Sequence, residues 1–339
     1  MDKSVKFRVG VIGVGRVSCM HLSSIDILPE TQLVCVCDNK KEVADEVAKK
    51  YGVKSYYDYK EMLDTEKLDA VHLCLPHYLH SKVACYAFSK GVNVLTEKPM
   101  DVDYESAVNA VETAKKYGVQ FGVIFQCRYN NAPQCVKKAL LSGKLGKIIT
   151  ARSILTWSRS DDYYSHSDWK GTWDKEGGGV VIDQAIHSID LVNFMVDSDI
   201  KTVSCHMANR GHQKVVVEDT AEGLITYENG VKYAFYCMNN YGCDEPIEIR
   251  LYCENGKAVF GYDDAYITYN DGTTEEAHQD YTEDYGGGKD YWGNKHIKQI
   301  KQFYNALAGK EELEMSGQVA LKTHKLIMDI YKIGKESIK

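Results

Sequence analysis

Residues 7–18, "FRVGVIGVGRVS", constrain the chain more than any other stretch: an apolar run leads straight into Gly13-x-Gly15-x-x-Ser18 and then into the helical period of "RVSCMHLSSIDIL". A strand that turns at once into a helix is the first half of a crossover unit, which points to a parallel sheet. Gly13 permits the tight turn, and Gly15 lets backbone N–H groups approach a pyrophosphate at the helix N-terminus. Ser18 stands where a third glycine is usual and is small enough for close helix-to-strand packing. Arg16 and Val17 fall within the same cofactor-binding turn. Asp38 closes the next strand about 20 residues on, where a carboxylate binds the adenosine ribose hydroxyls and repels a 2′-phosphate. NAD is therefore expected over NADP, with Lys40 and Lys41 softening the preference.

Short apolar runs and helical periods go on alternating through "TQLVCVCD", "KEVADEVAKKYG", "LDAVHLCLP", "VNVLTEKP" and "VQFGVIFQ". This rhythm predicts an α/β fold, a Rossmann-type doubly wound parallel sheet, through about Gln126. After about residue 146 the pattern becomes one of alternating strands such as "KIITARSILTW", "KYAFYCMN" and "PIEIRLYC", joined by turns such as "ENG" and "NDG". That pattern predicts a largely antiparallel sheet rather than further crossovers. With 339 residues and about 150 per domain, two domains are expected, 1–127 and 128–339. Residues 271–290, "DGTTEEAHQDYTEDYGGGKD", read as an acidic surface loop with a lid role open to it. Helices over about 291–308 and 316–337 close the chain, and these are expected to pack back on the first domain.

A formal charge of -7 argues against nucleic acid as a partner, since phosphate affinity needs clustered Lys and Arg. No leader pattern or membrane-spanning window is visible, so a cytoplasmic location without membrane contact is expected. The eleven Cys lack framework spacing and read as reduced core residues.

Open parallel sheets place ligands at the carboxyl ends of their strands. Leu75, Pro76, His77 and His80 stand at one such end, Glu97 and Lys98 of "LTEKPMD" at another, and Gln126 at a third. His77 and His80 read as packing near the cofactor. Lys98 either carries positive charge beside a reacting oxygen or is a solvated strand-end residue. In "GGGVVIDQAIHSIDL", residues 177–191, Asp183 and His187 lie four apart and share a helical face. The spacing alone leaves three readings open: satisfied core polars, part of a metal site with His166 or His206, or an acid–base pair. Asp190 reads as packing or capping, and no metal is expected. Residues 156–179 gather Trp157, Arg159, Tyr163, Tyr164, Trp169, Lys170 and Trp173. Rings of this kind stack on sugar faces, or else form a satellite core under a long loop. Arg128, Tyr129 and Asn130 are placed to face the same crevice. An acidic substrate would want a cation from Arg128, Arg152 or Arg159; a neutral glycoside would not.

The glycine turn, the later "EKP" and the "GGGVVIDQAIHSIDL" stretch, in this order, resemble the Gfo/Idh/MocA family of glucose-fructose oxidoreductase, inositol dehydrogenase and rhizopine-catabolism oxidoreductase. The resemblance covers nearly the whole chain and implies a Rossmann domain followed by an α+β domain on an open-faced mixed sheet. It further implies NAD-dependent oxidation of sugar-like secondary alcohols, and a homodimer or homotetramer formed through that sheet. Carried over residue by residue, it makes Lys98, Asp183 and His187 catalytic; the three glycines of 177–179 are expected to bring the chain close to the cleft before the helix starts. The "YY", "W-K-G-T-W" and "GGG" order is similar to members acting on the 3-hydroxyl of hexosides. Two further functions stay open: a redox-neutral NAD-dependent glycosidase or lyase working through a 3-keto intermediate, and a non-catalytic NAD- or sugar-sensing regulator.

Overall fold

The computed structural model describes residues 6–165, 167–279 and 295–338. In chain order the elements are β1 (Phe7–Ile12), α1 (Ser18–Ile27), β2 (Thr31–Cys37), α2 (Lys41–Tyr51), β3 (Lys54–Tyr56), α3 (Tyr59–Thr65), β4 (Ala70–Leu73), α4 (His80–Ser89), β5 (Asn93–Thr96), α5 (Tyr104–Tyr117) and β6 (Phe121–Val123). The chain continues through α6 (Asn131–Leu141), β7 (Ile148–Thr156), the short α7 (Asp161–Ser165), α8 (Ile186–Val196), β8 (Ile200–Ala208), β9 (Thr220–Tyr227) and β10 (Lys232–Met238). It ends with β11 (Glu248–Cys253), β12 (Gly256–Phe260), β13 (Ala265–Tyr269), β14 (Thr274–Ala277), α9 (His296–Leu307) and α10 (Gly317–Gly334). One compact unit takes Met1–Gln126 with Glu283–Lys322, and the other takes Cys127–Thr282 with Thr323–Lys339.

The first unit is a parallel sheet in the order β3-β2-β1-β4-β5-β6. Its central strands are buried on both faces, as crossover helices require, and read as continuous apolar runs. The order reverses between β1 and β4, and the strand ends there are level: Ile12 pairs with Leu73, and Leu73 with Thr96. Gly13, Cys74 and Glu97 therefore leave the sheet side by side at its switch point, where such sheets bind ligands. Gly52 and Gly118 stop α2 and α5 in the left-handed conformation. In α9, Ile297, Ile300, Phe303 and Tyr304 join the core formed by Val9, Val11, Leu22 and Ile25.

The second unit holds a sheet in the order β14-β13-β12-β11-β7-β10-β9-β8. Its neighbours are antiparallel except β7 and β10, which run parallel, so the sheet is mixed. The largely antiparallel sheet expected from the strand pattern is present, and the one parallel pair leaves no trace in that pattern because side-chain alternation is the same in both kinds of ladder. In β10, Tyr233, Phe235 and Cys237 are buried while Lys232, Ala234 and Tyr236 are exposed, leaving one face open. Part of the expected 271–290 loop is strand β14, paired with β13. Residues 280–290, and the first four of the closing helix expected from 291, lie outside the described residues. Among the described residues no helix is long and apolar enough to cross a membrane.

Candidate functional site

In the first unit, conformation and space both demand glycine at position 13. Gly13 has a φ of 83°, and a Cβ there would lie 2.4 Å from the Cys74 carbonyl oxygen. Gly15 has nothing within 4 Å of such a Cβ, so its backbone faces open space. Buried Ser18 donates its hydroxyl to the Gly15 carbonyl at 2.7 Å, which closes the turn. Arg16 is exposed and Val17 half-buried. No side chain caps α1 and no acid lies in its first turn, so its N-terminal dipole is left for an anionic group. Asp38 accepts from Val14 N at 3.0 Å and from Lys40 N at 2.9 Å, which fixes its carboxylate against the glycine turn. Gln126 is 4% exposed, and its side-chain oxygen has no partner among the described residues. A glycine cradle, an uncapped helix start, a ribose-level carboxylate and an unpaired amide oxygen together fit a dinucleotide.

Leu75 and Pro76 are half-buried at the end of β4. The ring nitrogens of His80 lie 2.8 Å from the Leu75 carbonyl and 2.6 Å from the Pro99 carbonyl, so this residue ties two strand-end loops together. Glu97 turns inward: its Oε1 accepts from His21 Nε2 at 2.9 Å and His296 Nε2 at 3.1 Å. His21 Nδ1 lies 2.8 Å from His72 Nδ1, and His72 Nε2 lies 2.8 Å from the Tyr304 hydroxyl. Burial holds His21 and His72 below their ordinary range. A neutral His21 that donates to Glu97 must accept at Nδ1; His72 then donates to it, and Tyr304 donates to His72. Burial opposes the charge on Glu97, but the imidazole bonds outweigh it and hold the carboxyl well below the usual range. The donor atoms of His21, Glu97 and His296 lie within 4.8 Å of one another, a metal-like set already joined by these bonds. Lys98, next in sequence, is half-buried between buried neighbours.

In the second unit, the three glycines of 177–179 turn out to face the interior. Gly177 has a φ of 90°; a Cβ on Gly178 would lie 2.0 Å from the Tyr331 hydroxyl, and one on Gly179 would lie 2.0 Å from the Glu218 carbonyl. Packing inside this unit therefore requires glycine at 178 and 179. Glu218 accepts from Gly179 N, Val181 N and the Tyr331 hydroxyl at 2.7–3.1 Å, holding the start of the helical run. Burial pushes its carboxyl up to about 7 against those bonds. The run differs from a regular α-helix: Val181–Ala185 is a π-helical turn that leads into α8. From Val180 to Val192 every residue is buried except Asp183 and His187. The ring of His187 meets Tyr262 edge to face at 6.3 Å between centroids.

Asp183 Oδ2 accepts from Tyr163 OH at 2.9 Å, Lys170 Nζ at 2.7 Å and Gln184 Nε2 at 2.6 Å. Lys170 also donates to Tyr163 OH at 2.8 Å and lies 3.4 Å from Glu176 Oε1. Glu176 is wholly buried, and burial pushes its carboxyl up to about 8 even with Lys170 pulling the other way. Desolvation opposes the charge on Lys170, but Asp183 and Glu176 outweigh it and hold the ammonium well above its ordinary range. Burial likewise pushes the Tyr163 hydroxyl up to about 12. Asn239 extends the network by donating to Tyr164 OH and Gln184 Oε1. The sequence offered Asp183 and Tyr163 as site residues but gave no sign of the roles of Glu176, Gln184, Asn239 and Glu218. Its one available signal for Lys170 was a cation set amid aromatic rings.

The other residues expected at the substrate have the following contacts within the second unit. Arg128 donates to both oxygens of Asp190 at 2.6 and 2.7 Å and lies over the Phe194 ring. Asp190 also accepts from Thr323, so it is a buried packing ion rather than part of the Asp183 face. Asn130 donates to the Tyr262 carbonyl, and Tyr129 ends a 3₁₀ turn, Gln126–Tyr129. Tyr163 and Trp173 pack on a small cluster of Tyr164, Val215 and Val217. Trp173 and Trp157 donate their indole N–H to the Val216 and Glu245 carbonyls. Trp169 stacks beneath Lys170 at 4.9 Å. His206 on β8 pairs with Glu222 on β9, and His166 lies outside the described residues.

Comparison with known proteins places both parts of the chain. Residues 7–125 match the oxidoreductase family with an NAD-binding Rossmann fold, and residues 134–259 match the GFO/IDH/MocA C-terminal domain. Over 245 residues the chain is 30% identical to the D-glucoside 3-dehydrogenase of Escherichia coli (strain K12), covering 67% of this chain and 68% of that one. Over 226 residues it is 27% identical to the glucose-6-phosphate 3-dehydrogenase of Bacillus subtilis (strain 168), a match spanning 63% of each and so less than two thirds of that relative. The crystal structure of the WlbA dehydrogenase from Bordetella pertussis, in complex with NADH and UDP-GlcNAcA, matches with a TM-score of 0.85 at 25% identity. That match covers 98% of this chain and 97% of the other.

Proposed function

The chain belongs to the Gfo/Idh/MocA oxidoreductase family, and on that footing we propose that it is an NAD-dependent dehydrogenase of a ring secondary hydroxyl, at C3 of a sugar or glycoside. The observation that carries this reading is the pair Asp183 and His187, the two positions left uncovered in an otherwise buried row. A nicotinamide dinucleotide held at the Gly13–Gly15 turn and Asp38 would supply the hydride acceptor. In the oxidising direction His187 takes the hydroxyl proton, since histidine titrates near neutral pH. Asp183, fixed as an anion by Lys170 and Tyr163, orients the hydroxyl. Lys98 supplies positive charge to the developing alkoxide. In reduction the proton moves the other way. Asp38 supports NAD over NADP, because its carboxylate beside the glycine turn repels a 2′-phosphate. The glucoside and glucose-phosphate relatives, both named 3-dehydrogenases, support C3.

The open face of the second sheet, carrying Leu224, Tyr236, Tyr252 and Tyr266 as exposed apolar groups, supports a homodimer or homotetramer formed through it. The test follows nicotinamide absorbance with NAD and a panel of glycosides, free sugars and inositols. Reduced cofactor accumulates if the reading holds, and Lys98→Met or His187→Ala lowers kcat by about 10²- to 10⁴-fold. Release of aglycone without net NADH would instead identify the redox-neutral chemistry. Ligand binding that both variants leave intact, with no turnover of any substrate, would identify a sensor.

A further inference from the structure

Residues 156–179, which carry the aromatic groups nearest Asp183 in sequence, hold five carboxylates against three lysines and arginines. Among the described residues of the second unit, the cations that the sequence set beside Asp183 are already engaged, most of them by a carboxylate. Arg128 is bound through two nitrogens to Asp190, with both partners buried. Arg159 reaches both oxygens of Asp244 at 3.0 and 3.1 Å while stacked over Trp157 and Tyr163. Arg152 lies on the open face of β7 and pairs with Glu248. Lys170 sits between Asp183 and Glu176, and Lys175 donates to the Asp168 carbonyl.

The charge around Asp183 follows from this arrangement. With Glu176 protonated, Lys170 and Asp183 cancel; with Glu176 ionised, the cluster is negative. It is positive in neither state. A phosphate or carboxylate brought here would have to draw a cation away from its partner, leaving that carboxylate unpaired.

We propose that the substrate is an uncharged sugar or glycoside, and that this cluster selects against sugar phosphates and sugar acids. The inference rests on the dehydrogenase reading above and narrows it. Neutral hydroxyls suit such a site, since each can donate to a held carboxylate and accept from Tyr163, Lys170 or an amide. The cluster rejects an anion by charge, whatever ring carries it.

The test compares neutral methyl glycosides of glucose, galactose and mannose with the matching methyl uronides and hexose 6-phosphates. Rates are measured with NAD, and dissociation constants by calorimetry with NADH bound. The neutral member of the productive pair is expected to lead by about 100-fold in kcat/KM and in affinity. Asp244→Asn, which releases Arg159, is expected to narrow that gap by about tenfold. A uronide or phosphate that outperforms its neutral partner overturns the inference and leaves the dehydrogenase reading standing. A neutral glycoside that binds selectively yet yields no NADH upholds the inference and overturns that reading. A blank across the whole panel overturns both.

Discussion

Glu97 in the first unit and Asp183 in the second are both carboxylates shielded from water, with side-chain exposures of 8% and 12%, yet their surroundings differ in kind. Glu97 is met by imidazoles, and the chain behind it passes through His21 and His72 to the wholly buried Tyr304. Every group in that chain is buried, so its hydrogen bonds organise the interior. Asp183 is met by an ammonium, a phenol and an amide, with a second carboxylate, Glu176, behind the ammonium. It also stands in a helical row whose other uncovered member is His187. Burial alone therefore does not mark a reacting group. A site needs a charge set held in place and an edge left uncovered, and of these two clusters only the one around Asp183 has both.

The contrast is tested most severely at Lys170. Lys170→Met leaves Asp183 and Glu176 facing each other without a cation, and is expected to cost about 3–5 kcal/mol in urea unfolding. It should also lower kcat more than KM for the glycoside, because Asp183 loses its fixed orientation. Lys170→Arg, which keeps the charge, should recover most of both. A methionine variant as stable and active as the native chain would show that Asp183 does not depend on the ammonium. A smaller effect is expected at Glu97. Glu97→Gln keeps one acceptor but gives up two charge-assisted bonds, and should lose about 2 kcal/mol. Its loss should be the same from pH 7 to 8, above the ordinary range of the histidines it meets, since the carboxyl titrates well below that window. A loss that grew across the window would mean that Glu97 is not held as a closed anion.

What could be read from the sequence was whatever depends on near neighbours. The strand-to-helix glycine turn was legible because Gly13 is forced by its own φ and by the adjacent strand end. Asp183 and His187 were legible because their four-residue spacing survives in the π-helical turn, which itself leaves no trace in the apolar pattern. The contacts that set their chemistry were not legible. Lys170 and Asp183 are joined across thirteen residues of irregular chain, and Glu97 meets partners 76 and 199 residues away. Pairings of that length have no period. Arg128 shows the same limit from the other side: a guanidinium beside a crevice in sequence is spent on Asp190, 62 residues on.

The effect that only a pH series resolves concerns Glu176 and depends on a sign. Its carboxyl is pushed from an ordinary value of 4.5 up to about 8, so between those limits the folded chain holds a proton that the unfolded chain has released. Stability contributed by that proton is complete below about pH 4.5 and is lost as the pH rises towards 8, by at most about 1.4 kcal/mol per pH unit. Glu218, pushed up to about 7, adds a slope of the same sign. The histidines held neutral by burial, His21, His72 and His80, add an opposite slope below their ordinary value of 6.5. The native curve is thus a sum, and only a difference isolates one group. Glutamine resembles the protonated acid, with one acceptor for Gly171 N and a donor in place of the hydroxyl. Glu176→Gln should therefore match the native chain near pH 5 and become progressively more stable than it towards pH 8, as melting temperatures in paired buffers would show. A difference that stays flat across that range would place the proton elsewhere in the cluster, and Asp183 would then share its site with a permanently ionised Glu176.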